Sequence, residues 1–333
     1  SRSSAASDVY KRQLMDDFPS FIDSIRLNVN GHLKKIPIPD KPRYLYDPIR
    51  YSIGNGGKRF RPILTHLSGR ANNIDSDALM NLSIAVELLH NFTLVHDDIM
   101  DNDTIRHGKQ TIHEKWDSST AILAGDGIYT IAQIILNEIS SNSILLSKYF
   151  NKTTLEICEG QALDKEFENG HNIDRKMYFD MINKKTGSLL GASAALPIIY
   201  NNGSEEQIYI YEQFGRNLGM GFQIHDDLLE ITADTETMGK SLGSDIFEGK
   251  QTIMVILAKE SYPVEWRDLL NLSENNELIK NIYNFFEEKN IIQETKSISD
   301  SYFKLSLNFL KKLDGINTDE LVQLVHLIEK RTF

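Results

Sequence analysis

Two short runs of carboxylates are spaced for chemistry: Asp97, Asp98 and Asp101 form one, and Asp226, Asp227 and Glu230 form the other. On a helix, Asp97 and Asp101 stand one above the other on a single face, with Asp98 turned about 100° away. Asp226 and Glu230 repeat that arrangement. An acidic i, i+4 pair also makes an ordinary solvated helix face. Here, however, each run follows a dense apolar stretch, Ala85-Val86, Leu88-Leu89 and Leu94-Val95 in one case, Leu218, Met220, Phe222 and Ile224 in the other. The helices bearing them therefore end in the interior. Carboxylates crowded there repel one another, resist desolvation and need cations. An all-oxygen donor set suits a hard divalent ion such as Mg²⁺, which keeps several waters and bridges to phosphates.

The basic residues complement this. Gly56-Gly57-Lys58-Arg59-Phe60-Arg61-Pro62 puts three cations in four positions behind two glycines. Glycine permits close backbone approach, and an arginine fork beside a lysine point charge suits phosphate oxygens, although a basic surface loop would read the same way. Arg106 follows the first acidic run, Lys185-Thr186 opens a Gly-containing segment, and Lys240 and Lys250 bracket a second Gly-rich stretch, 239–245. Phosphate-type basic motifs beside metal-type acidic motifs point to a polyphosphate substrate held through metals. The net charge of −11 does not forbid this, because bound ions reverse the local field.

Helices must position these groups. Apolar-periodic segments run over roughly 78–100, 120–137, 144–168, 174–200, 205–232 and 250–260, and no run alternates with period two long enough to demand a sheet. The reading is an all-α protein, with one domain over 14–333. Residues 1–13 are polar, begin without Met and are set aside as a disordered tail or remnant. The Pro-rich segment 36–48 reads as a connector. With 36 Lys plus Arg against 47 Asp plus Glu, nucleic acid is a poor partner. The longest charge-free stretch, 186–204, is broken by Pro197, so no transmembrane helix is expected. A single cysteine, Cys158, forms no internal disulfide and fits a reducing compartment, so a cytoplasmic location is expected.

In order along the chain stand GGKRFRP, the aspartate-rich DDxxD motif (Asp97, Asp98, Asp101), GQALD (160–164), KTG (185–187), the second aspartate-rich motif and GKSLGSD (239–245). In this set the chain resembles the trans-isoprenyl diphosphate synthases of the polyprenyl synthetase family. The resemblance implies a bundle of mostly antiparallel helices around a deep central cavity, the isoprenoid synthase fold, usually as a homodimer. It implies head-to-tail condensation of isopentenyl diphosphate with allylic diphosphates (dimethylallyl, geranyl, farnesyl), supported by three Mg²⁺ ions. Asp97 and Asp101 would bind two ions and Asp226 the third, with Glu230 near it and Asp227 also in the metal set, and Asp98 would complete the first motif. Arg106, Lys185 and Lys240 would grip the allylic diphosphate, and Gln161 and Asp164 would support the metal shell. Gly57, Lys58, Arg61 and His90 would line the isopentenyl diphosphate site, with His107 and Lys250 beside the diphosphates. Thr186 and Gln223 match positions facing the reacting carbons. No dedicated protein base stands out, so the departing pyrophosphate is the expected proton acceptor.

Two positions depart from the family pattern. His107 replaces the second of two adjacent arginines, and Glu230 replaces the final aspartate, adding one methylene. Product length is expected to depend on Phe92, five residues before Asp97 and so about 7.5 Å along the helix axis, and on Thr93. One aromatic at the fifth position resembles the archaeal-type pattern that stops at twenty carbons, geranylgeranyl diphosphate. A farnesyl or mixed product, a non-catalytic partner subunit and a terpene cyclase are the alternatives. A cyclase has no need of GGKRFRP, and a non-catalytic subunit commonly has eroded acidic motifs.

Overall fold

The computed structural model describes residues 2–54, 56–168, 173–232, 250–272 and 275–330. These residues are helical apart from turns, connecting segments and one two-stranded antiparallel hairpin, with Ile105 opposite Gln110 and Arg106 opposite Lys109. The chain groups into two compact units, Ser1–Asn151, Ala192–Tyr211 and Leu313–Leu327 in the first, and Lys152–Gly191, Glu212–Lys312 and Ile328–Phe333 in the second. Each unit gathers three separate stretches, so no single linker marks a boundary for composition to reveal.

The first unit holds α1 (Arg2–Leu33), α2 (Arg43–Ile53), α3 (Phe60–Ala71), α4 (Ser76–Met100), β1 (Ile105–Arg106), β2 (Lys109–Gln110), α5 (Ile112–Lys115) and α6 (Ser118–Asn137). Helix α1 runs through residues 2–13, which the sequence reading sets aside as a tail; no glycine or proline interrupts them. Helix α2 starts inside the Pro-rich connector, with Pro48 in its interior. Two features support it: Asp47 accepts hydrogen bonds from both Arg43 (2.9 Å) and Arg50 (3.0 Å), and Ile49 and Ile53 are buried.

Helix α4 is the central element, packed chiefly on α3 and α6. Asp75 caps it, accepting from the Asp77 N–H at 3.3 Å. Its buried Leu79, Leu82, Val86 and Leu89 recur at helical spacing. On the facing helix, capped by Asp117, the buried stripe Ala121, Ala124, Gly125, Ile128 and Ala132 keeps side chains small. A Cβ at Gly125 would lie 2.7 Å from His96 Nε2, so any larger residue there must push the imidazole aside. By length and composition two helices could cross a membrane, residues 77–100 and 118–137, where the sequence reading expects none. The apolar residues of the first are largely spent on the core, with 67% of its most apolar window buried. The second leaves Ile122, Leu123 and Ile134 exposed.

The second unit contains α8 (Arg175–Ile182), a π-helical turn (Asn183–Gly187), α11 (Ile253–Ser261), α12 (Pro263–Leu272), α13 (Asn275–Glu288), α14 (Ile291–Leu310) and most of α7 (Ser143–Glu168) and α10 (Glu205–Thr232). The remaining helices are α9 (Ser188–Tyr200) and α15 (Asp319–Lys330). Its core is a continuous cluster including Tyr178, Ile182, Ile224, Leu228, Met254 and Phe286. The π-turn closes with the Ser188 N–H donating to the Asn183 carbonyl, five residues back. A Cβ at Gly160 would come within 2.3 Å of the Lys185 backbone nitrogen, so Gly160 admits this turn against α7.

Candidate active site

At the end of α4, the Asp101 N–H still donates to the Asp97 carbonyl at 2.8 Å, so helical register carries both side chains to one face. Both are half-buried, whereas Asp98 is buried and bonded to Arg106. Burial pushes Asp98 up to about 6, against the pull of Arg106. Arg106 also donates to Asp103 at 2.9 Å. The hairpin makes this possible, because the turn at His107 (φ 51°) and Gly108 (φ 73°) takes the left-handed conformation at two successive residues and folds β1 back. The second motif repeats the division of labour on α10. Asp226 and Glu230 are half-buried, while buried Asp227 accepts from Tyr178 (2.6 Å) and from Gln223 (3.0 Å). The two motifs thus share more than a pattern, since in each the middle carboxylate is held by protein groups.

The GGKRFRP loop corrects a sequence expectation. Of its three cations, Arg59 is buried. It holds a left-handed conformation (φ 51°), donates to Glu87 at 2.5 Å and donates to Asn30 of α1 at 2.8 Å. It anchors the loop, in which Lys58 is exposed and Arg61 half-buried. The clue was Glu87, a lone carboxylate within the apolar run of α4. Burial raises its pKa while Arg59 opposes the rise. His90 of α4 is held well below its ordinary value by burial and by Arg61, Arg106, Arg59 and His107, so these groups share one positive neighbourhood. His107 is likewise lowered by burial and by Arg106, Arg59 and Lys58. Its imidazole is therefore held further toward the neutral form in the free protein.

Below the first motif, Phe92 meets His96 edge-on at 4.8 Å and leans on Tyr129 of α6 at 5.2 Å. Thr93 donates back to the His90 carbonyl at 2.8 Å.

In the second unit, Lys185 and Thr186 project from the π-turn. Lys185 donates to Asp164 at 2.6 Å, and Thr186 donates to Gln223 at 2.9 Å. Asp164, which the sequence places among the metal carboxylates, is thus already paired. Asp164, Lys185 and Gln223, with Tyr178, Asp227 and Lys250, line a pocket of about 100 Å³. The Gln161 amide nitrogen is buried without a hydrogen-bond partner, a donor suited to a water or phosphate oxygen. Lys240 and the 239–245 motif lie outside the described residues. Tyr178 is the site residue that sequence reasoning missed, hidden as one more aromatic in a core helix.

Among the described residues no three His, Cys, Asp or Glu side chains converge on one point. The half-buried i, i+4 pairs nevertheless fit Mg²⁺, which takes one or two carboxylates and completes its shell with water and substrate phosphate. Paired carboxylates, clustered cations and a helical framework define a class of diphosphate-handling α-helical enzymes. The polyprenyl synthetase family model matches residues 42–287. The chain is 42% identical over 223 residues to the geranylgeranyl diphosphate synthase of Methanosarcina mazei, covering 66% of this chain and 69% of that protein. It is 36% identical over 311 residues to that of Saccharolobus solfataricus, covering 91% and 93%. The crystal structure of geranylgeranyl pyrophosphate synthetase from Pyrococcus horikoshii superposes with a TM-score of 0.88 at 32% identity, covering 95% of this chain and 99% of that one. The chain belongs to the polyprenyl synthetase family. It has the isoprenoid synthase fold and is a prenyltransferase.

Proposed function

We propose that this chain condenses isopentenyl diphosphate head-to-tail with allylic diphosphates and stops at geranylgeranyl diphosphate. The observation that carries this is the half-buried i, i+4 carboxylate pair that ends each acidic helix, in a chain that the polyprenyl synthetase family model matches over residues 42–287. Asp97, Asp101, Asp226 and Glu230 would hold Mg²⁺, three ions by family resemblance, with Asp98, Asp164 and Asp227 as supports. Bound Mg²⁺ would supply Lewis-acid stabilisation of the departing pyrophosphate. Lys185 and Arg106, with Lys240, would hold the allylic diphosphate as its C1–O bond breaks and the pair leaves on oxygen. Lys58, Arg61, His90 and His107 would hold isopentenyl diphosphate, aided by Gly57. Its C3–C4 double bond attacks the allylic carbon, and loss of a C2 proton to pyrophosphate forms the new C2–C3 double bond. The oxygens of Thr186 and Gln223 would face the transient cation.

Incubation with Mg²⁺, farnesyl diphosphate and labelled isopentenyl diphosphate should give a labelled twenty-carbon diphosphate. A hydrocarbon would indicate a cyclase, a fifteen-carbon ceiling from shorter primers a farnesyl synthase, and no product a partner subunit. We also infer a cytoplasmic homodimer, in which a second copy covers the exposed Ile122, Leu123 and Ile134 of α6. A monomeric mass by sedimentation would refute that state.

Two predictions concern single residues. Phe92→Ala is expected to shift the product to longer chains on chromatography, because it removes the ring braced by Tyr129 and His96 below the carboxylates. An unchanged length would mean that the floor lies elsewhere. For His107, the neutral imidazole must take up a proton to grip an anion as a cation. The KM for isopentenyl diphosphate should therefore rise from pH 6 to 8.5 by about tenfold more in the wild type than in His107→Arg, the worth of one charge-assisted hydrogen bond. The substrate's own titration is common to both, so parallel curves would refute the idea.

A further inference from the structure

Tyr178 has the lowest exposure of any polar group around the pocket, at 1%, and its ring sits in the core beside Met181, Ile224 and Ile253. Its oxygen accepts the Ile253 backbone N–H, so its single proton has one destination, Asp227 Oδ2 at 2.6 Å. The other oxygen of that carboxylate can only accept. Gln223 must therefore present its amide nitrogen there, at 3.0 Å, which turns its carbonyl oxygen toward Thr186 Oγ1 at 2.9 Å. Thr186 must then donate. The four groups form a hydrogen-bond string with one permitted direction, tied at its buried end to the start of α11.

We propose that Tyr178 is a positioning residue for the condensation, fixing through Asp227 and Gln223 the direction in which the Thr186 and Gln223 oxygens present their lone pairs. This rests on the placement of Thr186 and Gln223 at the reacting carbons. The direction matters because an allylic cation is stabilised by oxygen lone pairs and opposed by the positive end of an amide. If Gln223 flipped, its NH₂ would replace its carbonyl, and Thr186 would have to reverse. Tyr178 prevents this by holding the Asp227 carboxylate in the plane that meets the Gln223 amide. No tyrosine chemistry is required, only a donor that cannot move.

The test is Tyr178→Phe, which keeps the ring in the core and removes only the hydroxyl. It is expected to lower kcat about a hundredfold, the scale of an ångström-level misplacement of reacting groups. The KM for isopentenyl diphosphate should stay within about twofold, since the cations proposed to hold it are on other residues. On a Thr186→Val background the same change should cost little, because the string is already cut there. An unchanged kcat, or a full additional loss on the Thr186→Val background, overturns the proposal and leaves Tyr178 a packing residue. Should Tyr178→Phe fail to fold, the shape-conserving Asp227→Asn decides. The proposal requires a similar fall in kcat with the Mg²⁺ concentration for half-maximal rate unmoved, and a raised Mg²⁺ requirement would make Asp227 a direct metal donor and overturn it. Wild-type protein assayed alongside separates the readings. A wild type without condensation sinks the functional assignment along with this one, whereas an active wild type matched by the variant sinks this one alone.

Discussion

Replacing Asp97 with alanine is expected to lower kcat by at least about 10³-fold while leaving the protein nearly as stable as before. The activity loss follows from the ion that Asp97 would hold. Lewis-acid stabilisation of a departing phosphoryl oxygen is worth several kcal/mol, and each 1.36 kcal/mol is a factor of ten. Stability should not suffer much, because Asp97 sits in the last turn of α4 and Asp101 at its C-cap, where the helix dipole is negative and like charges repel. Asp98→Asn is the informative control. It weakens the tie to Arg106 rather than removing a metal donor, so its effect should fall mainly on substrate KM and melting temperature. A steady-state assay titrated with Mg²⁺, beside thermal melts of both variants, reads all of this. Asp97→Ala retaining activity within tenfold of wild type would remove it from the metal set, and condensation that survives EDTA would remove the metals altogether.

Arg59→Ala carries the second large effect, this time on folding. The guanidinium and the Glu87 carboxylate meet in the interior, each side chain 5% exposed. Removing one member of a buried pair leaves an uncompensated charge and costs about 3–5 kcal/mol. Exchanging both members for apolar groups is often neutral, so Arg59→Met with Glu87→Leu should recover most of the loss in chemical denaturation. Equal stability of the single and double variants would show that the pair is not what the core depends on. Arg59 also holds a left-handed backbone conformation that a side chain adopts only when its surroundings insist. Loss of the pair should therefore loosen the loop that presents Lys58 and Arg61, and the KM for isopentenyl diphosphate should rise even where the variant folds.

The parts of this molecule that speak in the sequence are those where a residue type contradicts its surroundings. Carboxylates at i, i+4 after apolar runs announced both acidic motifs and the helices beneath them, and Phe92 was legible as a ring at a fixed distance from Asp97. What stayed hidden depended on who pairs with whom. Arg59 looked like Lys58 and Arg61 until Glu87 claimed it, although a single carboxylate among Val86, Leu88 and Leu89 was a readable request for a buried cation. The bonds of Asp98 to Arg106, Asp164 to Lys185 and Asp227 to Tyr178 were equally hidden, because no spacing within a motif pairs these residues. Tyr178 carried no signal, because a tyrosine in an amphipathic helix is ordinary. Helix α2 was lost to its prolines, which are poor guides when flanking ion pairs and buried isoleucines favour the helix.

The π-turn at Asn183–Gly187 constrains how this chain can change over time. A π-turn amounts to one residue more than an α-helix needs, and every residue of helix turns the chain by about 100°. Losing a single codon there would straighten the rod and swing Tyr178 out of phase with everything from Ser188 onward, even though no side chain had been replaced. The segment should thus tolerate no change of length.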